Sequence, residues 1–333
     1  METYYNHPAP IVLFVYNRLW HTQQTVQALL RCELASESDL YIFADGPKAD
    51  ATEEQRIKIS DVRNYIHTIK GFSHIFIEEA EKNKGLANSV ITGVSKIIEK
   101  KGKVIVLEDD IVVSSHFLKY MNQSLDLYEN VEKVVCINGF SIIKDAPIKE
   151  HTYFQYGADC WGWATWKRGW DIFNPDGQSL MNYFLHNRTL KKRFTYDGSY
   201  PYLEMLQSQI DGEIDSWAIR WYASAIVKEC LCLYPSRSLV QNIGFGDGTH
   251  CDDPNCYEAT ITADESLSDF PMIPVRDSWY MRKEWKKLFK KLYTIRRKPC
   301  RKTTKTILRG IMNYIETHLS SYIDTNEKRK KNL

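Results

Sequence analysis

No stretch of this chain reaches the roughly 18 consecutive apolar residues of a membrane span. Its start, Met1-Glu2-Thr3-Tyr4-Tyr5-Asn6-His7-Pro8, lacks the basic beginning and apolar core of a signal peptide. The expectation is a cytoplasmic protein, neither exported by the usual route nor integral to a membrane. Cysteine is sparse: eight residues (Cys32, Cys136, Cys160, Cys230, Cys232, Cys251, Cys256, Cys300) are scattered without a regular framework. The close pairs, Cys230 with Cys232 and Cys251 with Cys256, are not matched by further pairs at zinc-ligand spacing. That argues against a structural zinc module and for free thiols in a reducing compartment. Internal repeats are absent, and so is the Gly-rich phosphate loop of nucleotide-hydrolysing folds. Net charge is almost absent too, at +2.

That small net charge conceals an asymmetry. Residues 281–333 carry 17 Lys and Arg against 4 Asp and Glu, or +13, which leaves residues 1–280 at −11. A basic tail on an acidic body implies a polyanionic partner for the tail alone. The bulk composition, 43% hydrophobic and 26% charged over 333 residues, is that of an ordinary globular protein with a substantial core. Nine Trp and 20 Tyr exceed what a core alone requires. Such rings can stack on the C–H face of a sugar, although many must be core.

The most informative segment is Lys103-Val104-Ile105-Val106-Leu107-Glu108-Asp109-Asp110-Ile111-Val112-Val113. Its aliphatic run predicts a strand buried on both faces, as in a parallel sheet. Three carboxylates at the strand's end cannot serve packing. Open α/β sheets bind ligands just beyond the carboxyl ends of their strands. Clustered hard oxygens there suit Mg²⁺ or Mn²⁺ shared with a substrate's phosphates. The plainer alternative is a solvated turn ahead of a helix.

Strand and helix patterns alternate on either side of that segment. Strands are predicted over 11–16, 40–44, 74–77 and 134–138, with helices to about Leu30, Lys70 and Lys101 and over 117–129. The alternation predicts a doubly wound, mostly parallel sheet flanked by helices. After about residue 150 the sequence becomes aromatic and loop-rich, with Trp161, Trp163, Trp166 and Trp170, then a helix over 215–228 and a strand near 230–234. The organisation read from this is 9–150 and 151–280 as two halves of one domain, then a basic helical tail over 281–333.

Asn17-Arg18, Asp45 and the acid triplet each lie at or just past a predicted strand end, so they should converge on one crevice. Arg18 offers a planar fork for phosphate, and Asp45 an acceptor for a base N–H or a ribose hydroxyl. Together they describe a nucleotide-diphosphate site. The plain alternatives are a surface arginine and a turn former ahead of Gly46.

With these residues the chain resembles metal-dependent glycosyltransferases of the GT-A fold, most specifically the N-acetylglucosaminyltransferase I-like group and its bacterial sugar-transferase relatives. The resemblance spans roughly residues 9–255. It rests on Ile11-Val12-Leu13-Phe14-Val15-Tyr16-Asn17-Arg18, Asp45, Leu107-Glu108-Asp109-Asp110-Ile111 with Phe117 and Tyr120, Gly162-Trp163, Asp215-Ser216-Trp217 and Gly248-Thr249-His250. It implies Asp110 as the direct ligand of Mn²⁺ or Mg²⁺, with Glu108 and Asp109 positioning the metal and the donor ribose. Arg18 and Asp45 would hold the diphosphate side and the uracil of a UDP-sugar. Lys84 and Gly85, in Asn83-Lys84-Gly85-Leu86, would lie along the nucleotide and donor sugar, unless the segment is only a helix start. A glycan or lipid-linked sugar would be the acceptor, in surface polysaccharide synthesis.

Inverting transfer also needs a base on the acceptor hydroxyl, opposite the leaving diphosphate. Asp215 is the best match, with Asp211 and Glu213 as neighbouring rivals. The sequence departs from the family in having Ser216 where a second acid often stands and Ile214 where an aromatic does. The alternative for Asp215 is a helix cap. His250 closes a Gly-rich loop that could fold over a ligand and touch diphosphate or metal, or it is an ordinary loop residue. Gly162 and Trp163 are the expected sugar contacts, the other tryptophans being more often core.

In the tail, Trp285, Leu288, Phe289 and Leu292 form an apolar stripe flanked by lysines, the pattern of a helix lying on an anionic membrane. The alternative is a helix whose stripe packs on the body. Nucleic acid is not the expected partner, because it needs no such stripe. Two other functions remain open at this point: a nucleotidyltransferase, and a non-catalytic sugar-binding scaffold.

Overall fold

The computed structural model describes residues 8–143, 148–244, 261, 262, 267 and 269–297. The chain forms two compact units, Met1–Lys287 and Leu288–Leu333. In chain order the elements begin with β1 (Ile11–Val15), α1 (Leu19–Leu30), β2 (Asp39–Ala44), α2 (Glu53–Ile66), β3 (His74–Glu79) and α3 (Leu86–Lys101). Next come β4 (Lys103–Glu108), β5 (Ile111–Val113), α4 (Phe117–Leu127), β6 (Val134–Asn138), β7 (Thr152–Tyr156), β8 (Trp163–Trp166) and α5 (Lys167–Trp170). The remainder are α6 (Gly177–His186), α7 (Arg188–Phe194), α8 (Tyr202–Ile210), α9 (Trp217–Val227), β9 (Leu231–Pro235), β10 (Val240–Asn242) and α10 (Trp279–Arg297).

The central sheet has the order β3-β2-β1-β4-β8-β6-β9-β7. The pairs β3–β2, β2–β1, β1–β4 and β6–β9 are parallel; β8 and β7 run antiparallel to their neighbours. It is the large, mostly parallel sheet that the alternation of periods predicts. Every residue of β1 is buried, as both-face coverage requires, whereas the edge strand β3 alternates between exposed and half-buried. Helix starts follow local chemistry. Thr52 and Gln55 form a reciprocal capping box on α2, and Asp176 and Ser216 cap α6 and α9.

The acid triplet stands at the carboxyl end of β4: the strand ends at Glu108, Asp109 and Asp110 form a turn, and β5 then leaves to pair antiparallel with β10 in a separate two-stranded sheet. A pattern that resumes its aliphatic run after a turn cannot say that the second run has changed sheets. Of the tail's apolar stripe, Trp285 is packed inward. Met281 is 0% and Trp285 5% exposed. The Trp285 indole donates to the Tyr153 hydroxyl at 3.1 Å and stacks on Tyr196 at 6.1 Å. Lys283 and Lys287 are left exposed. No helix among the described residues is long and apolar enough to cross a membrane.

Candidate active site

The carboxyl ends of β1 and β4 are adjacent in register, with Phe14 opposite Glu108. The next turn of chain from each therefore meets the other. Arg18, just past β1, forms a short ion pair with Oδ1 of Asp109 and a second with Oδ2 of Asp110 at 2.9 Å. Its Nε also lies 3.4 Å from Asp109 Oδ2. The turn is pinned from α1, where the Thr25 hydroxyl donates to the Asp109 carbonyl at 2.8 Å. Both acids are buried.

Burial of so many carboxylates has an electrostatic consequence. Burial first, then Asp110 and Asp109, pushes the Glu108 carboxyl up to about 8. Burial outweighs Arg18 at Asp109 and raises it to about 6. Arg18 is itself held more firmly protonated, because Asp109 and Asp110 outweigh the opposing effect of burial. Arg18, and to a smaller degree Trp217 at the start of α9, partly offset the rise at Glu108.

A strand from the second sheet closes this corner. The Ile243 amide donates to the Asp110 carbonyl at 2.9 Å, and the next residue, Gly244, has its α-carbon directly against the Asp110 carboxylate. A Cβ there would collide with that carboxylate and lie 3.0 Å from Arg18 Nη1. The position requires glycine for close approach. It went unremarked within the Gly-rich stretch because nothing in the sequence pairs 240–242 with 111–113.

At the ends of β2 and β3 a small cleft is lined by Phe43, Asp45, Glu78, Lys84, Ser89 and Thr92 among others. Asp45 organises it. Its Oδ1 accepts from the Lys84 amide at 2.8 Å and its Oδ2 from the Gly85 amide at 3.0 Å and the Asn83 side chain at 3.0 Å. Asp45 thus shapes the 83–85 loop, a role missing from the reading of it as a direct nucleotide contact. Arg63, also unforeseen, ties the cleft's back by donating to the Ala80 carbonyl at 2.6 Å. Gly85 precedes α3 with φ +77°, a conformation that favours glycine.

Asp215 arrives at this loop from the other half of the domain. A Cβ on Gly85 would stand 3.2 Å from Asp215 Oδ2. The Asp215 side chain is 61% exposed, with Arg220 Nη2 at 4.0 Å. It does not cap α9, since Ser216 accepts from the Ile219 amide at 3.3 Å. Of its rivals, Asp211 accepts from Gln207 at 2.9 Å and Glu213 from Ser208 at 2.7 Å, both ties to nearby residues of α8.

Trp163 corrects an expectation. It is fully buried and sits in a tryptophan cluster with Trp170, Trp217 and Trp221, with centroid distances of 5.7, 5.4 and 5.8 Å. It supports Trp217 from below and offers no face to a sugar. Gly162 is buried as well, and its missing side chain makes room for Val240 and Phe117, not for a ligand. His250 lies outside the described residues. Sequence reading also missed Asp159 and Cys160. Burial raises the Asp159 carboxyl to about 6 while Cys160, Tyr234 and Trp161 hydrogen-bond it, and the Cys160 thiol is held up by burial, then by Asp159 and Glu108.

The donor set fits a divalent ion in one limited sense. Arg18 pairs with both Asp109 and Asp110, so one negative charge is left in surplus even with Glu108 protonated. Among the described residues, however, no three His, Cys, Asp or Glu side chains converge on one point. An ion here would be held by Asp110 together with substrate phosphates and water, the mode of binding usual for Mg²⁺.

No protein-family model matches the chain, and no curated protein does. Solved structures to which the chain shows a distant similarity include TarS from S. aureus, at 14% identity and a TM-score of 0.28, covering 43% of this chain and 24% of that one. Another is described as a nucleotide-diphospho-sugar transferase from Desulfovibrio desulfuricans G20, also at 14% identity and a TM-score of 0.28, covering 51% of this chain and 69% of that one. The chain spans about a quarter of TarS (24%).

Proposed function

We propose that the protein is an inverting glycosyltransferase that takes a sugar from a nucleoside-diphosphate donor, UDP by preference, to an acceptor hydroxyl. The observation that carries this reading is the meeting of Asp215, just ahead of α9, with Gly85, just ahead of α3. It sets an exposed carboxylate beside the 83–85 loop.

The roles follow from that arrangement. The cleft at the ends of β2 and β3 takes the nucleoside, with the 83–85 loop shaped by Asp45. Arg18 and the acid corner face the diphosphate, and Asp110 would hold Mn²⁺ or Mg²⁺. When bound, such an ion neutralises the departing diphosphate. Asp215, exposed across the loop, accepts the proton of the acceptor hydroxyl as that oxygen attacks the anomeric carbon. The +13 charge of residues 281–333 favours association with an anionic surface, with Trp285 packed inward.

Calorimetry with UDP and Mn²⁺ tests the donor half. Unaltered protein is expected to bind the pair and Asp110→Asn to lose most of that affinity with an unchanged melting temperature. Equal affinity in the variant would remove Asp110 from the site.

A further inference from the structure

We propose that Arg18 is the resident counter-ion of the acid corner, so that a divalent cation reaches Asp110 only in competition with its guanidinium. The inference deepens the function proposed above and takes from it the expectation that a divalent cation serves this edge.

The geometry is specific. Nη2 of Arg18 bridges the two acids, paired at once with Oδ1 of Asp109 and, at 2.9 Å, with Oδ2 of Asp110. The Asp109 and Asp110 side chains are 5% and 12% exposed, so the pair is little screened by water. The Arg18 side chain is 27% exposed, so its guanidinium can turn toward an incoming anion, while the Gly244 backbone lies against its Nη1 side. The oxygen that a cation would use is therefore already committed to a positive group.

A nucleoside diphosphate changes this balance, because its phosphates offer the guanidinium a second, well-matched anionic partner. Cation and diphosphate should then bind far better together than either does alone. Removing the Arg18 charge should separate the two effects. The cation alone should bind more tightly, because its competitor is gone, and the diphosphate should add less, because its arginine is gone. A residue that merely supported the fold would shift both affinities in the same direction.

The test is a Mn²⁺ titration of the full chain without nucleotide, read from the electron paramagnetic resonance signal of free Mn²⁺, followed by the same titration with saturating UDP. Arg18→Met is expected to tighten binding of Mn²⁺ alone about tenfold or more and to shrink the enhancement by UDP. The double variant Arg18→Met with Asp110→Asn should lose the gain. If Arg18→Met does not fold, Arg18→Lys, which keeps a charge but loses the fork, should tighten Mn²⁺ alone by about threefold. Unchanged or weaker binding of Mn²⁺ alone in the folded variant overturns the inference, as does a gain that survives Asp110→Asn. The metal-only titration needs no nucleotide. Failure of UDP to bind the unaltered protein would therefore count against the proposed function, and an unmoved Mn²⁺ affinity against the role of Arg18.

Discussion

Oδ2 of Asp215 lies 3.2 Å from where a Cβ on Gly85 would be, so the loop ahead of α3 and the loop ahead of α9 touch at a glycine. The two residues are 130 positions apart in sequence and come from the two halves of the domain. Their contact places an exposed carboxylate beside the 83–85 loop, and several consequences can be measured.

Asp215→Asn should lower turnover by about 10²–10⁴-fold, roughly 3–5 kcal/mol of barrier, while UDP binding stays nearly unchanged. Asp211→Asn and Glu213→Gln should leave turnover within a few-fold, because each acid is tied to a nearby residue of α8. Steady-state rates paired with UDP affinity decide the matter. Weakened UDP binding with intact turnover at saturation would reassign Asp215 to donor contact.

Gly244→Ala should push the Asp110 carboxylate or Arg18 out of place. A cost of about 1–3 kcal/mol in stability is expected from overpacking, together with loss of metal-dependent UDP binding. Thermal unfolding and calorimetry on the same sample separate these effects. A variant with wild-type UDP affinity would show that the second sheet does not shape this corner.

Asp45→Asn turns one acceptor oxygen into a donor amide facing donors, which unties the 83–85 loop at a cost of about 1–3 kcal/mol. Hydrogen exchange at the Lys84 and Gly85 amides should speed up, and UDP affinity should fall with it. Faster exchange without a change in UDP affinity would separate the loop from nucleotide binding.

Trp285→Ala should cost about 3–5 kcal/mol in solution, as expected for a buried indole. A tryptophan reserved for lipid would cost almost nothing without vesicles. Chemical denaturation of the two proteins measures the difference.

A pH dependence accompanies that docking. The Lys286 ammonium hydrogen-bonds Asp197 at 2.7 Å and holds its carboxyl below the usual range. A depressed folded value means that this stability is present above the unfolded value, about pH 4, and is lost as pH falls through the folded one. Both side chains are about a third exposed or more, so screening limits the effect to below about 1 kcal/mol. Lys286→Met should show that deficit at pH 7, and the deficit should shrink as pH falls below the unfolded value. A deficit that persisted in acid would be a packing loss.

The alternation of aliphatic runs with amphipathic helices made the sheet's parallel part legible, because fully buried strands leave a pattern that needs no tertiary context. The convergence of Arg18 with the acid triplet was legible for the same reason: strand ends in a parallel sheet share an edge. What could not be read was pairing across long separations. The departure of β5 to meet β10, and with it the demand for glycine at 244, depends on register between segments about 130 residues apart. Trp163 illustrates a different limit. A tryptophan beside a glycine looks the same in sequence whether it faces a ligand or three other indoles, and only the packing decides. Trp285, likewise, is equally suited to lipid and to the aromatic surface of Tyr153 and Tyr196.

The most direct test of a nucleoside-diphosphate-sugar donor site on this edge is product analysis after incubation with a panel of nucleotide sugars and Mn²⁺. Release of nucleoside diphosphate is expected, abolished by Asp110→Asn and slowed about 10²–10⁴-fold by Asp215→Asn. Release of pyrophosphate, or donor binding without consumption under every acceptor, would contradict it.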